Sequence, residues 1–377
     1  MKDLKQCRIE IDEIDQQLME LFEKRMSLSK SVVEYKIANH LEIFQPERER
    51  EVIEKNLNRL ENENLKEYAR CFIQEMMTVS KSYQSDLLPL ELDKNIKTEF
   101  KKDPLVGYQG IAGAFSQSAV ENFFGEGTRN IGYKDFEDVY VALEDGEIDY
   151  GVLPIENSLT GSINDNYDLI RKYGFYIVGE TAVNVSQCLM ALPGTKIEDI
   201  KEVYSHPQGL AQSSEFLYQH RCIEQRPFQD TAMAAKYVKD SNNPAKDPTK
   251  AAIASPLACK LYGLEMLKEN VQNKKNNRTR FMVISKELIC PKESDKVSVI
   301  FTLPHQVGAL DNMLQTIKQS QINMDRIESR PIETQYWQYY FYIDFEGNMH
   351  EERIQRAINK MKANSTTLKV LGNYKRA

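Results

Sequence analysis

The sequence predicts a multidomain protein with an all-α N-terminal domain, a two-lobed α/β central domain and a small α+β C-terminal domain. The length of 377 residues exceeds what one hydrophobic core ordinarily organises. The first ninety residues carry a helical hydrophobic period, whereas from Pro104 onward short strands alternate with helices. We therefore expect domains at residues 1–90, 104–285 and 296–377.

Composition is typical of a globular protein and excludes several classes of function. Hydrophobic residues make up 41% of the chain and charged residues 28%. The formal net charge of −7 argues against a general nucleic-acid binder, which needs a basic surface to displace counterions. Six cysteines without a CxxC pair predict reduced thiols rather than disulfides or a zinc site. With no signal-peptide pattern and no apolar run of membrane-spanning length, we expect a cytoplasmic protein.

The N-terminal domain begins with a long helix predicted to run to about residue 38. Its hydrophobic seam consists of Leu4, Cys7, Ile11, Ile14, Leu18, Leu21, Leu28 and Val32. A helix of that length measures about 50 Å, too long to be covered by one small domain. We therefore expect it to pack against a second copy of the chain. Two further helices are predicted at about 46–60 and 64–84.

Arg25 interrupts this seam, and a buried guanidinium is costly unless an anion meets it. Lys36 returns to within about 20° of the same helical face, so both cations are predicted to face one interhelical cavity. Arg8 lies about 25 Å away along the axis and reaches that cavity only from an antiparallel partner helix. The alternative is that these are surface cations with ordinary ion pairs.

Residues 1–90 resemble the all-helical chorismate mutase family. The matching positions are Arg8-x6-Asp15, Arg25, Lys36, Glu47-Arg48-Glu49-Arg50 and Ser80-x3-Gln84. The resemblance implies that Arg8 of the partner subunit, Arg25 and Arg48 bind the two substrate carboxylates. It also implies that Lys36 and Gln84 donate to the ether oxygen, while Glu49 and Ser80 support the substrate hydroxyl. Gln45 departs from the family, which often carries an acid there, although we expect it near the same hydroxyl.

The central domain repeats one order of elements, strand, polar loop and helix. A strand at 105–108 is followed by a Gly-rich turn at 109–114, whose backbone N–H groups suit an anion, and by a helix at 115–124. Further on, a strand at 150–153 leads into a loop at 154–162, and the order returns from Val203 with a helix at about 210–219. Two lobes with a cleft between them are the expected product.

The stretch from Asn276 to Phe281 places Thr279 between Arg278 and Arg280. A hydroxyl between two guanidinium groups suits a small anionic substrate whose leaving group needs a proton. The alternative is a basic edge strand. In an extended strand Thr279 points opposite to both arginines, so a single site requires the backbone to bend.

Residues 104–285 resemble the prephenate dehydratase family, most specifically in Gly151 to Ser158 with Gly161-Ser162, and in Asn277 to Phe281. The resemblance implies a fold like that of periplasmic binding proteins and the loss of carbon dioxide and hydroxide from prephenate to give phenylpyruvate. Thr279 would be the general acid, and Arg280 would supply positive charge. The substrate-orienting residues it implies are Asn157, Glu156, Ser158, Ser205, His206 and Gln208. Ala114 departs from the threonine expected in the Gly-rich turn.

From residue 296 the predicted order is βαββαβ, with the next-to-last strand at 336–345. Two stretches, Gly308-Ala309-Leu310 and Glu328-Ser329-Arg330-Pro331, resemble the phenylalanine-sensing ACT family. The resemblance implies L-phenylalanine binding at a dimer interface near Leu310, Asn323 and Ser329. Asp311 departs from the apolar residue usual after the first motif. The alternative is a dimerisation domain without a ligand.

Taken together, the resemblances imply one module that makes prephenate, a second that consumes it and a third that senses the end product, in a homodimer or homotetramer. No metal, nucleotide or flavin is implied. Three alternatives remain: a dehydratase that prefers arogenate, a two-lobed ligand-binding protein with only mutase activity, and N-terminal helices that serve only to dimerise.

Overall fold

The computed structural model describes residues 3–39, 41, 46–88, 96–241, 249–333 and 337–377. Gln45 and the predicted strand start at Tyr336 lie outside these residues. The chain forms two compact units, Met1–Asn95 with Val297–Val370 and Ile96–Lys296 with Leu371–Ala377. The three domain boundaries proposed above stay a prediction.

The N-terminal part is all-α, as predicted. Its helices are α1 (Leu4–Ala38), α2 (Pro46–Leu57) and α3 (Lys66–Asp86), with a 3₁₀ turn at Glu63–Leu65 before α3. The packing of α2 on α3 centres on Leu57, Ile73 and Met77. The seam of α1 stays largely exposed on the single chain: Leu18 is 42%, Leu21 60% and Leu28 68% accessible.

The second unit contains two lobes, each built on its own sheet. The first lobe contains β1 (Val106–Gln109), α4 (Phe115–Phe124), β2 (Asn130–Tyr133), α5 (Phe136–Asp145), β3 (Tyr150–Asn157), β4 (Gly161–Ser162), α6 (Asn164–Tyr173) and β5 (Tyr176–Asn184). The second lobe contains β6 (Cys188–Ala191), β7 (Glu202–Ser205), α7 (Pro207–Gln212), α8 (Ser214–Gln219), β8 (Glu224–Pro227), α9 (Thr231–Ser241), β9 (Lys250–Ala254), α10 (Pro256–Tyr262) and β10 (Glu265–Lys268). The chain then returns to the first lobe as β11 (Arg278–Ser285).

The two sheets have the strand orders β2-β1-β3-β11-β5, with β4 beside β3, and β10-β6-β9-β7-β8. Their central strands are apolar because both faces are covered: β6 is buried at every position, and so is nearly all of β3 and β9. The fold class predicted for this region is therefore confirmed.

Two local predictions in this unit are wrong. The strand expected at 150–153 continues to Asn157, because a register shift between Arg280 and Phe281 of β11 pairs Phe281 with Pro154 and Arg280 with Glu156. Such a bulge accommodates a proline, which has no N–H to give to a ladder. The helix expected at 210–219 is split in two, since the Gln212 carbonyl accepts a hydrogen bond from the Asn273 N–H at 2.6 Å.

The C-terminal sheet has the predicted βαββαβ order. Its elements are β12 (Lys296–Thr302), α11 (Ala309–Gln319), β13 (Met324–Pro331), β14 (Tyr339–Glu346), α12 (Glu352–Ala363) and β15 (Thr367–Tyr374), in the strand order β13-β14-β12-β15. Within the first unit α12 packs on α3, where Lys360 Nζ lies 2.9 Å from Asp86 Oδ2 and Arg356 donates to the Asp86 carbonyl. Among the described residues, none of the helices has both the length and the apolar character to cross a membrane.

The end of β15 packs against β5 at a position that only glycine fits. A Cβ on Gly372 would overlap the carbonyl oxygen of Ile177. We predict that Gly372→Ala destabilises the second unit by about 1–3 kcal/mol, because the two strands must move apart. Thermal unfolding followed by calorimetry measures this. Lys375→Ala, at an exposed position nearby, is the control, and equal transition temperatures for the two variants would contradict the prediction.

Candidate active sites

A polar cluster lies between the helices of the first unit. Ser29 on α1 and Ser80 on α3 are in hydrogen-bond contact, 2.8 Å apart between their hydroxyl oxygens. Gln84, one turn after Ser80, donates to the Ser80 hydroxyl at 3.4 Å. All three side chains are buried, so this contact fixes the face of α3 that looks towards α1.

Two cations belong to the same region. Burial lowers the pKa of the Arg25 guanidinium. Burial also lowers the pKa of the Lys36 ammonium, an effect that the nearby Glu49 carboxylate opposes. Arg25 Nη1 and Gln84 Oε1 are buried without a hydrogen-bond partner. Because an unpaired buried polar atom is costly, this cluster suits a ligand that supplies both an acceptor and a donor.

The single chain does not bring every predicted residue into this cluster. Arg48 pairs with Glu51 at 2.9 Å, and both side chains are about two-thirds exposed. Arg8 is exposed near the other end of α1. Two members of the cluster were not predicted from the sequence: Ser29, one turn after Arg25, and Lys81, which lies 3.0 Å from Glu49. Their helical spacing from Arg25 and from Gln84 is the signal that identifies them.

In the second unit Thr279 and Asn157 meet where β11 and β3 pair. Asn157 Nδ2 donates to Thr279 Oγ1 at 2.9 Å and to Asn277 Oδ1 at 2.7 Å. Asn157 Oδ1 in turn accepts from the backbone N–H groups of Leu159 and Thr160, at 3.0 and 3.1 Å. The amide is thus held from both ends. Since Thr279 Oγ1 is the acceptor in its bond, its own hydrogen is directed elsewhere.

The predicted residues Ser205, His206 and Gln208 lie where helix α7 of the second lobe begins. His206 caps it, with Nδ1 accepting from the Gln208 N–H at 3.2 Å, so the neutral ring carries its hydrogen on Nε2. Ser205 is fully buried and donates to the Ile253 carbonyl at 2.6 Å, so its hydrogen is already used within the lobe. This corrects the expectation that Ser205 orients the substrate.

A cavity of about 300 Å³ lies between the two lobes, next to Gln208. Residues from both lobes line it, among them Thr160, Asn277, Gln208 and Gln212. Gln212, which accepts from Gln187 Nε2 at 3.3 Å, was not predicted from the sequence. Its position one helical turn after Gln208 is the available signal.

Arg280 does not share the site of Thr279. Neighbouring residues of a strand point to opposite faces, and here no bend intervenes because the bulge comes after Arg280. The Arg280 guanidinium instead lies 3.1 Å from Glu156 and 3.1 Å from Glu180. This corrects the expectation that Arg280 and Glu156 contact the substrate.

Two further expectations change in the loops. Ser158 accepts from the Arg278 N–H at 3.0 Å and donates to the Asn276 carbonyl at 3.1 Å, so it ties the two loops together rather than facing a ligand. In the Gly-rich turn, Gly113 donates its N–H to Gln117 Oε1 at 2.7 Å, and Gly110 donates to the Tyr133 carbonyl at 2.7 Å. These N–H groups are therefore not available to an anion.

The predicted effector residues occupy two places in the C-terminal sheet. Gly308 begins α11 with a left-handed φ of 80°, followed by the buried Ala309 and the exposed Leu310. Glu328, Ser329 and Arg330 lie on β13, the edge strand, and Asn323 is exposed just before it. Among the described residues, β13 is the last strand on one side of the sheet, and an edge strand of this kind offers backbone groups for pairing with another copy of the chain.

Comparison with known proteins agrees with the motifs. Residues 106–289 match the prephenate dehydratase family, and residues 7–85 match chorismate mutase type II. Arogenate dehydratase 2 of Petunia hybrida is 39% identical over 71% of each chain. The crystal structure of prephenate dehydratase in complex with L-Phe from Arthrobacter aurescens is 28% identical, with a TM-score of 0.65, over 72% of this chain and 90% of that one.

The bifunctional chorismate mutase/prephenate dehydratase of Aquifex aeolicus (strain VF5) is 35% identical over 379 residues, which cover 100% of this chain and 99% of that relative. Both enzymatic resemblances drawn from the sequence are thereby confirmed. Because the match spans both matched families and the full length of the relative, this chain belongs to the bifunctional chorismate mutase/prephenate dehydratase family.

Proposed function

We propose that the protein rearranges chorismate to prephenate in the helical cluster, and then decarboxylates and dehydrates prephenate to phenylpyruvate between the two lobes. The observation that carries this proposal is the 2.9 Å hydrogen bond from Asn157 to Thr279 at the mouth of the cleft. It presents a hydroxyl donor, held by a fixed amide, on residues of the matched dehydratase region.

The chemistry of the first step fits the helical cluster. A Claisen rearrangement needs no nucleophile and no proton transfer, only a folded substrate and positive charge where the ether bond breaks. Lys36 and Gln84 are the donors proposed for the ether oxygen, and Arg25 for a carboxylate. Glu49 and Ser80 are proposed to support the substrate hydroxyl.

Completion of this site requires a second copy of the chain. The exposed seam of α1 is the surface that a partner helix would cover. An antiparallel partner would bring Arg8 of the partner subunit to the cluster that contains Arg25. We therefore propose a homodimer or homotetramer, in which Arg48 also reorients from Glu51 towards the second carboxylate.

In the second step, aromatisation drives the loss of carbon dioxide, and the enzyme must help hydroxide leave. Thr279 is the proposed general acid, positioned by Asn157. His206, Gln208 and Gln212 approach from α7 across the cleft and are proposed to orient the substrate through hydrogen bonds. These groups provide no covalent nucleophile, and the step requires none.

Arogenate is the alternative substrate, since it differs from prephenate by an amine. Relatives of similar identity carry that name, but the full-length relatives are named for prephenate. A two-lobed binding protein with only mutase activity is disfavoured by the Thr279–Asn157 contact, which binding alone does not need.

We also propose that L-phenylalanine binds the C-terminal sheet and inhibits the enzyme by population shift. Support comes from the L-Phe complex of the Arthrobacter aurescens enzyme and from the accessible edge of β13. The candidate contacts are Gly308, Ala309, Leu310, Asn323, Glu328, Ser329 and Arg330.

Six free cysteine thiols support a reducing, cytoplasmic location.

The whole proposal is tested with purified protein and chorismate alone. We predict that prephenate forms first and phenylpyruvate follows without an added cofactor, and that L-phenylalanine slows the second product. Both products are quantified over time by liquid chromatography, with arogenate supplied in a parallel reaction. Prephenate that accumulates without conversion, while arogenate is consumed, would move the second activity to arogenate.

Thr279→Val keeps the shape of the side chain and removes its proton. We predict that prephenate dehydration falls by about 10²- to 10⁴-fold, the usual contribution of a positioned general acid, while mutase turnover is unchanged. Thr128→Val is the matched control, because the Thr128 hydroxyl donates to the Gly125 carbonyl within its own exposed turn. Full dehydratase activity in Thr279→Val would remove Thr279 from this role.

Lys36→Ala removes the donor proposed for the breaking ether bond. We predict a loss of mutase turnover of about 10²- to 10³-fold with dehydratase activity retained, because the two sites are separate. Lys30→Ala, at an exposed position on the same helix, is the control. Light scattering shows whether the oligomer is intact; an intact oligomer with normal turnover would refute the placement.

A further inference from the structure

A set of buried charges lies directly behind the dehydratase site and has no part in the mechanism above. Glu180 on β5 is 5% exposed at its side chain, and Lys296 is 8% exposed. Lys296 Nζ lies 2.6 Å from Glu180 Oε1, and Arg280 Nη1 lies 3.1 Å from Glu180 Oε2. The backbone N–H of Ala377 also donates to Glu180 Oε1, at 3.0 Å.

The set continues to Glu156, the residue before Asn157. Arg280 Nη2 lies 3.1 Å from Glu156 Oε2, across the β3–β11 ladder. Lys296, Glu180, Arg280 and Glu156 thus alternate in charge and are formally neutral together. The next pair in the ladder is Asn157 opposite Thr279.

Burial of ion pairs does not by itself stabilise a fold, since well-packed apolar side chains serve as well or better. A specific registration role is the better-attested use of such groups. The β3–β11 ladder offers a place for such a registration role, because its register shifts between Arg280 and Phe281, one residue pair away from Asn157 and Thr279. An ion pair that joins Arg280 to Glu156 fixes which residues face each other beyond that shift.

Glu180 contacts the Arg280 guanidinium at Nη1, the nitrogen that does not face Glu156, and Lys296 pairs with Glu180 in turn. Without a cation at Lys296, the Glu180 carboxylate has only Arg280 as a charged partner in the described set, and it draws the guanidinium away from Glu156. Without Glu180, Arg280 has one carboxylate instead of two. Either change loosens the cross-strand contact that sets the geometry of Asn157 and Thr279.

We propose that Glu180 and Lys296 are positioning residues for prephenate dehydration, acting through Arg280 and Glu156 to keep Asn157 and Thr279 in register. Lys296 is also the first residue of β12, so the strand that opens the C-terminal sheet supplies the last cation of the set. The inference rests on the proposed dehydratase function of Thr279.

The test uses the full-length enzyme with prephenate as substrate. In Lys296→Met and Glu180→Gln we predict that kcat falls by about tenfold to a hundredfold, as for a misplaced catalytic group, with KM within about twofold of the parent. Lys296→Arg retains the charge and should recover most of the lost kcat. Lys286→Met is the control, because Lys286 is exposed and bonds only to the Glu144 carbonyl.

Mutase turnover in the same samples reports whether the protein is folded, and near-ultraviolet circular dichroism reports on the second unit. Where Lys296→Met does not fold, the formally neutral double variant Glu180→Gln/Lys296→Met replaces it, with the same predicted fall in kcat. A kcat within about twofold of the parent in folded Glu180→Gln and in the folded lysine variant would overturn the proposal. A parent enzyme without prephenate turnover would instead refute the proposed function.

Discussion

The antiparallel pairing of β3 with β11 is the constraint on which the second unit depends. It joins a central strand of the first lobe to the strand by which the chain returns from the second lobe. The same pairing sets Asn157 against Thr279 on one face and Glu156 against Arg280 on the other. One face of the ladder thus carries the neutral hydrogen-bonding groups that we propose for catalysis, and the opposite face carries the charges that we propose align them.

The helical site differs, because a single chain brings together only some of the residues predicted to bind chorismate. Its donors are buried enough for the pKa of Arg25 and Lys36 to fall, yet Arg25 retains an unpaired nitrogen. The apolar seam lies open along α1, and the cationic cluster lies towards the end of the same helix. In the oligomer that we propose, one antiparallel partner helix covers the first and completes the second. Assembly and substrate binding are therefore two aspects of one surface in the proposed oligomer.

Features that depend on residues close together in the sequence were predicted correctly. The hydrophobic seam of α1 predicted a helix that ends near Ala38, and the alternating strand and helix patterns of the C-terminal part predicted its βαββαβ order. The end of β3 was not predicted because Pro154 is typical of a strand end, and the strand continues only because its pairing with the distant β11 shifts register beside that proline. The partner of Arg280 escaped for a similar reason, since Glu180 looks like any strand residue until folding brings it across one hundred positions of sequence.

The second unit is completed by Leu371–Ala377, which are separated in the sequence from the rest of that unit by Val297–Val370 of the first unit. During synthesis, domains usually fold in the order in which they leave the ribosome. Here the strands of the two lobes emerge well before the segment that packs Gly372 on Ile177 and donates to Glu180. The dehydratase unit consequently reaches its final form only after translation has passed through the sheet that follows it, so a stalled or truncated product would contain the catalytic motifs in an unfinished fold.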